Sequence, residues 1–504
     1  MKALRSWMAQ RKSALNLQIL AIGCGCAAWS CGSDTDIPAR DALPALGSSG
    51  GTSADVGTSG GSGSSGSESR DDLDLISSGA SGGSTASTAD AGDTAPFEDA
   101  GDAGGTPSEP VVCNVIPNQG SLTDTDANID LATPLQRIAG FGGMDGGFYA
   151  ELTAAQVDTA FGDQPGQLGL SILRIRIPEA QANFGRSLAA AQRAIGWGAT
   201  VMATPWTPPA NMKSNQSTVG GFLNPASYGA YADHLLGFRD FMQSNGVPLY
   251  AISVQNEPDI RVTYESCDWT ASQLVDWIKA HGSKFGDTKL MAAEAFQFNR
   301  AISDPILEDD AAAAQVDIIA GHVYGGGLAD YPLARQKGKE VWMTEHYTDS
   351  ANPANDWPLA LDVGTDIQRS MTANFSAYVW WAIRRAYGLL TEDGAVSKRG
   401  YVMAQYSKFI RPGFVRVSAT QPNNANVSVT AYKGGDQVVV VAVNRSAQPQ
   451  SINLDVFNSC ATGFSRFTTS ATKNVANDGL VPLSERRAVV NLEGQSITTF
   501  VSQQ

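Results

Sequence analysis

The chain has 504 residues and a formal net charge of −15, with 42% hydrophobic and 17% charged side chains. That length exceeds one compact core and implies two or three domains, while the acidic balance argues against a nucleic-acid partner. Four scattered histidines, with no Cys-x-x-Cys or His-Glu-x-x-His spacing, give no reason to expect a metal, a redox centre or a cofactor.

Residues 1–31 read as an export signal. Lys2, Arg5, Arg11 and Lys12 precede the apolar stretch Leu15–Trp29, which is too short to span a membrane. Cys24, in LAIGC, is a candidate for lipid modification and hence a membrane anchor. Ala21 stands where a Leu is usual, so lipidation and free secretion both stay open. Residues 32–112 are a different polymer of Gly, Ser, Thr, Ala and Asp. Such a stretch buries too little apolar surface to offset its ordering entropy, and a flexible linker is expected. Its part up to residue 110 holds fourteen acids against Arg40 and Arg70, a charge of −12, and the signal carries +4. The rest of the chain is left at −7, which suits a neutral or locally recognised substrate. Beyond the signal only Cys113, Cys267 and Cys460 remain, enough for one disulfide and one leftover thiol with the pairing open.

Residues 113–137 read as N-terminal strands, followed by a glycine turn at Gly140–Gly143. Over 138–408 strand-length apolar runs alternate with helical patterns. The runs are LSILRIRI (170–177), ATVMATPW (199–206), LYAISVQNE (249–257), TKLMAAEAF (288–296), VDIIAGHVYG (316–325), EVWMTEHY (340–347) and SAYVWWAIRR (376–385). The helical patterns 227–246 and 270–286 each end near a Gly, as a helix stop should. With a first strand near IAGFGG this makes about eight strands, the mark of a (β/α)8 TIM barrel rather than an open sheet. From 409 to 504 the period drops to two, with a turn at Gly434–Gly435–Asp436, so an attached antiparallel β-sandwich side domain is expected. The N-terminal strands are expected to join that sandwich, and the whole to be a monomer.

In ISVQNEPDI (252–260), Pro258 stops the strand and drives Glu257 out of the helical region. Glu257 therefore sits on a turn at the carboxyl end of a strand, where parallel α/β folds keep their chemistry. A single Glu there is more often a cap or an ion-pair partner. VWMTEHY supplies a second strand-end carboxylate, Glu345, and two glutamates at the mouth of one barrel point to glycosidic cleavage: one carboxylic acid protonates the leaving oxygen while the other carboxylate attacks the anomeric carbon. Asn256 is placed to bond a sugar 2-hydroxyl. Trp206, Tyr324, Tyr347 and Trp380–Trp381 fall at expected strand ends, as the stacking faces of a carbohydrate cleft do, although Trp380 reads equally well as core. His322 belongs either to the site or to a buried hydrogen-bonded barrel top. Arg384 and Arg385 at the end of an apolar strand each need an anion, and one of them could receive a substrate carboxylate in a bidentate fork.

YAISVQNEPD, VWMTEHY, AYVWWAIRRAYGLLTEDGAVSKRGY and FIRPGFVRVSAT resemble the glucuronoxylanases of glycoside hydrolase family 30, over roughly residues 118–504. The resemblance implies a barrel with a side β-sandwich and retaining hydrolysis of xylan, a polysaccharide, with Glu257 as acid/base and Glu345 as nucleophile. It implies that Arg385 receives the carboxylate of a methylglucuronic acid branch, that Trp381 lies beside the cleavage subsite, and that Tyr347 and Ser350 complete the branch pocket. Ala382 stands where the family commonly has Tyr, a departure that bears on how strictly a branched chain is selected. The competing expectations are another family 30 activity, on unbranched xylan or a β-1,6-glucan, and a non-catalytic carbohydrate-binding barrel. The first leaves Arg385 without a use, and the second predicts loss of a glutamate that is present.

Overall fold

The computed structural model describes residues 115–118, 127–146, 148, 150–348 and 352–503. The expected export signal and linker, with Cys24 and Cys113, lie outside the described residues, as does Ser350. Eight parallel strands close into a barrel: β2 (Gly140–Met144), β3 (Ile172–Ile177), β4 (Thr200–Pro205), β5 (Leu249–Ser253), β6 (Lys289–Ala295), β7 (Ile318–His322), β8 (Glu340–His346) and β9 (Ala377–Trp380), with β9 pairing back to β2. Strands covered on both faces are apolar throughout, which is why they read as continuous runs. Side chains from alternate strands plug the barrel floor, among them Met202, Met291 and Trp342. Trp342 stacks on Tyr250 at 5.7 Å and gives its indole N–H to Glu340. With that end filled, the opposite, C-terminal rim is left for chemistry.

Two expectations need correction. The glycines at 140–143 form the strand β2 itself, not a turn. They are required because β2 lies hard against β3: a Cβ on Gly142 would sit 2.1 Å from the Ile172 carbonyl oxygen. The last barrel strand ends at Trp380 and not at Arg385. Beyond it Trp381 N–H bonds the His346 carbonyl and Ile383 N–H bonds the Met144 carbonyl, so the backbone crosses the ends of both neighbouring strands while staying buried.

The side domain is one nine-stranded sheet around a second apolar core that includes Leu454, Phe464 and Phe500. Its strand β1 (Ala127–Arg137) pairs antiparallel with β10 (Val415–Ala419) and parallel with β13 (Gln450–Phe457), so the expected antiparallel layer carries one parallel pair. That follows from connectivity: β1 enters from before the barrel and fills a gap that the C-terminal strands leave between β10 and β13. The barrel helices 361–372 and 398–407 pack on this sheet. Gln368 donates to the Val441 carbonyl at 2.9 Å, Arg445 pairs with Asp362 at 2.7 Å, and Thr499 donates to the Gln405 carbonyl at 2.7 Å. Cys460 is disulfide-bonded and Cys267 is a free, buried thiol.

Candidate active site

Glu257 lies on the turn after β5 with φ +45°, a conformation uncommon for a residue with a side chain. The following Pro258 disfavours the ordinary helical region, and the Glu257 N–H is fixed on the Glu294 carbonyl at 3.0 Å. Its carboxylate accepts from Tyr264 Oη at 3.3 Å and meets His322 Nδ1 at 2.8 Å. Glu345, near the end of β8, is fully buried. Its Oε1 accepts from Tyr324 Oη at 2.9 Å and its Oε2 from Arg174 Nη1 at 2.5 Å. One carboxylate oxygen from each glutamate and a ring nitrogen of His322 all lie within 4.8 Å of one another.

Arg174, in the middle of the apolar strand β3, is the hub. Its guanidinium also donates to Asn256 Oδ1 at 2.8 Å and Glu294 Oε1 at 3.2 Å, and lies 4.7 Å from the centroid of the Trp206 ring. Burial works against its charge, but Glu294 and Glu345 outweigh that and raise its pKa. Burial likewise opposes ionisation of Glu294, yet Arg174 and His322 bring its carboxyl down to about 2. Burial opposes the charge on His322 too; Glu345, Glu257 and Glu294 still lift it to about 9. Two buried cations thus answer three buried carboxyl groups.

Glu257, His322 and Glu345 are close enough to share one metal ion. Their donor atoms are already engaged with protein groups: His322 Nδ1 meets Glu257, and Glu345 accepts from Tyr324 and Arg174.

Aromatic side chains surround the carboxylates in two groups. Trp206 packs edge-on to Phe148 at 4.7 Å and lies 5.8 Å from Trp381. On the other side Tyr324 meets Tyr347 at 5.2 Å, and Tyr347 meets Tyr387 at 5.0 Å. Arg385 stands over Tyr387 with 6.0 Å to the ring centroid and 3.6 Å between its Nη1 and Glu392 Oε1. Arg384 turns away and donates to the Ala150 carbonyl. Trp206, Asn256, Glu257, His322, Tyr324 and Glu345 therefore form one connected cluster; Tyr347 and Arg385 join it through Tyr324 and Tyr387, and Trp381 through Trp206. Sequence reasoning passed over Arg174, Glu294, Tyr264, Phe148 and Tyr387. Arg174 and Glu294 did carry a signal, since a charge inside a strand buried on both faces demands a buried counter-charge.

The chain is 43% identical over 392 residues to Glucuronoxylanase XynC of Bacillus subtilis strain 168, a match that covers 75% of this chain and 92% of that protein. It is 26% identical over 322 residues to an endo-1,6-beta-D-glucanase of Neurospora crassa, across 56% of this chain and 66% of the relative. Among solved structures, the glycoside hydrolase family 30 subfamily 8 xylanase Xyn30A of Clostridium acetobutylicum superposes with a TM-score of 0.70 at 40% identity, covering 76% of this chain and all of that one. No protein-family profile matches the chain. Identity at that level over nearly the whole of a relative, together with a closed barrel carrying a side sheet, shows that the chain is a glycoside hydrolase and belongs to glycoside hydrolase family 30.

Proposed function

We propose that this enzyme is an exported, retaining endo-β-1,4-xylanase that cuts glucuronoxylan at positions set by a glucuronic acid branch. The observation that carries the reading is the pair of glutamates, with carboxylate oxygens within 4.8 Å of each other. Retaining pairs stand about 5–5.5 Å apart, whereas an inverting pair needs about 6.5–9.5 Å to admit a water between them. Glu345 is the nucleophile. Its oxygen forms a bond to the anomeric carbon as the glycosidic C–O bond breaks, and Glu257 gives its proton to the departing oxygen. In the second half Glu257 takes a proton from water, whose oxygen displaces Glu345 and restores the original configuration. Arg174 and Tyr324 hold the two oxygens of Glu345 in line. Asn256, its carbonyl oxygen engaged by Arg174, keeps its NH2 group for the sugar 2-hydroxyl.

Branch recognition falls to Arg385, seated between Tyr387 and the exposed Glu392, with Tyr347 packed on Tyr387. A planar guanidinium suits a carboxylate in bidentate fashion. Trp381 offers the face on which a xylose ring stacks; Trp206, expected to do the same, is buried under Arg174 and instead backs Trp381 at 5.8 Å. Export rests on the basic and apolar start of the chain, with Cys24 as the candidate anchor.

The test is to express the full chain in a bacterial host, recover it from medium and membrane fractions, and resolve its products on glucuronoxylan and on debranched xylan by mass spectrometry. Products that each carry one uronic acid at a fixed place near the reducing end, with debranched xylan nearly untouched, support the reading. A ladder of plain xylo-oligosaccharides from both substrates overturns branch recognition and points to Ala382. Activity confined to the cytoplasm overturns export.

A further inference from the structure

Glu294 is a third buried carboxylate at the centre of the site, and the two-glutamate chemistry does not use it. The strand that carries it is built to present it. The pairing of β6 with β7 slips by a residue between Ala293 and Ala295, and Glu294 adopts φ +48°. Bulges of this kind re-aim a single side chain. The side chain is fully buried, with Oε1 3.2 Å from Arg174 Nη2 and 3.7 Å from His322 Nε2, and its backbone carbonyl anchors the N–H of Glu257. The other ring nitrogen of His322, Nδ1, is the one that meets Glu257 Oε1 at 2.8 Å. The imidazole therefore stands between the fixed anion and the acid/base.

We propose that Glu294 is a positioning residue for the hydrolysis: its charge keeps His322 protonated on both nitrogens, so that an N–H is always aimed at the oxygen of Glu257. The proposal rests on the reading of Glu257 as acid/base. A neutral imidazole has one N–H and two places to put it; with an anion facing Nε2, both nitrogens carry a proton and Nδ1 donates throughout the cycle. When Glu257 yields its proton to the leaving oxygen, the carboxylate that forms meets that donor at once. The same donor keeps Glu257 available as a base when water enters. The other groups facing His322 and Glu294 are Arg174 from β3, Ser253 from β5, Tyr324 after β7 and Glu345 on β8, with His346 beyond, which burial and the charge of His322 hold neutral at about 3. Of these, Glu345 lies 4.0 Å from Nδ1 and must be free to attack the sugar, which leaves Glu294 as the permanent counter-charge.

The experiment compares pH profiles of kcat/KM on glucuronoxylan for the full chain and its Glu294→Gln and Glu294→Asp variants, with Glu257→Gln alongside. In Glu294→Gln, His322 loses the one of its three facing carboxylates that lies on Nε2, and becomes neutral at lower pH. Glu257 then holds its proton longer, and the basic limb moves to higher pH by about one unit. Glu294→Asp keeps the charge and the limb stays near its original position. A merely structural role lowers both profiles without moving the limb, and that outcome in a folded Glu294→Gln protein overturns the proposal. If Glu294→Gln does not fold, nitrogen-15 NMR of His322 in the unaltered chain decides. An imidazolium that persists above pH 8 supports the proposal, and an imidazole already neutral at pH 7 overturns it. Should Glu257→Gln retain activity, the acid/base reading fails; if it is inactive while the limb stays put in Glu294→Gln, only the present inference fails.

Discussion

Replacing Arg174 by Leu removes one buried cation and leaves its partners in place. The guanidinium makes hydrogen bonds of 2.5 Å to Glu345, 2.8 Å to Asn256, 3.2 Å to Glu294 and 3.3 Å to Thr204, all out of solvent. Without it, of the two buried cations His322 remains to answer all three carboxyl groups, and breaking a buried pair from one side costs about 3–5 kcal/mol. At about 2.1 cal/mol/K per residue over roughly 390 folded residues, that loss lowers Tm by about 4–6 °C. The cost depends on pH, and its sign is fixed. Glu294, held at about 2 against an ordinary 4.5, contributes stability that is present above pH 4.5 and lost as pH falls through about 2. In the Leu variant the stranded carboxylates relieve their penalty by taking up protons as the solution is acidified. The gap between the two proteins therefore widens with rising pH. Urea unfolding at pH 4 and pH 7, followed by tryptophan fluorescence, measures that gap. Arg174→Lys, which keeps a charge but not the fork, restores most of the stability; activity on glucuronoxylan stays down by about 100-fold, because one amine cannot orient Glu345, Glu294 and Asn256 together. A gap below about 1 kcal/mol at pH 7, or one equal at both pH values, refutes the reasoning.

Arg385→Ala costs about 2–4 kcal/mol in kcat/KM on branched xylan, the scale for truncating one side of a desolvated charge pair, and leaves debranched xylan within a few-fold; equal losses on both substrates sink branch recognition. Asp366, on the helix 361–372, is driven by burial to a pKa of about 7 from an ordinary 3.8. Its contribution to stability is full below pH 3.8 and lost as pH rises through 7, so Asp366→Asn gains about 1–3 kcal/mol at pH 8 and little at pH 4. A urea-midpoint difference that is the same at both pH values contradicts this.

The barrel strands were legible because a parallel strand covered on both faces can hold little except apolar residues, and Gly or polar punctuation marks its ends. Glu257 and Glu345 were legible for the complementary reason: each breaks an apolar run where the rim must lie. Arg174 and Glu294 escaped because they sit inside such runs, ILRIRI and MAAEA, and their partners come from strands far along the chain. Arg174 is 171 residues from Glu345 and 120 from Glu294. No local pattern encodes that meeting. The topology does, since successive strands of a closed barrel bring their carboxyl ends to one rim. Once eight strands are accepted, charges set inside β3 and late in β6 and β8 have one place to neutralise each other, and the site follows from counting them. The glycines of β2 misled for the opposite reason: their local preference for turns was overridden by the need for close approach to β3, which only the assembled barrel imposes. Tyr387 shows where this reasoning stops. Its place under Arg385 depends on how the chain folds back after Trp380, where the Leu390 N–H bonds the Ile383 carbonyl. The apolar pattern of the preceding strand does not predict that path, so the groups proposed to choose the substrate are set by loop geometry while the glutamates proposed to break the bond are set by the barrel.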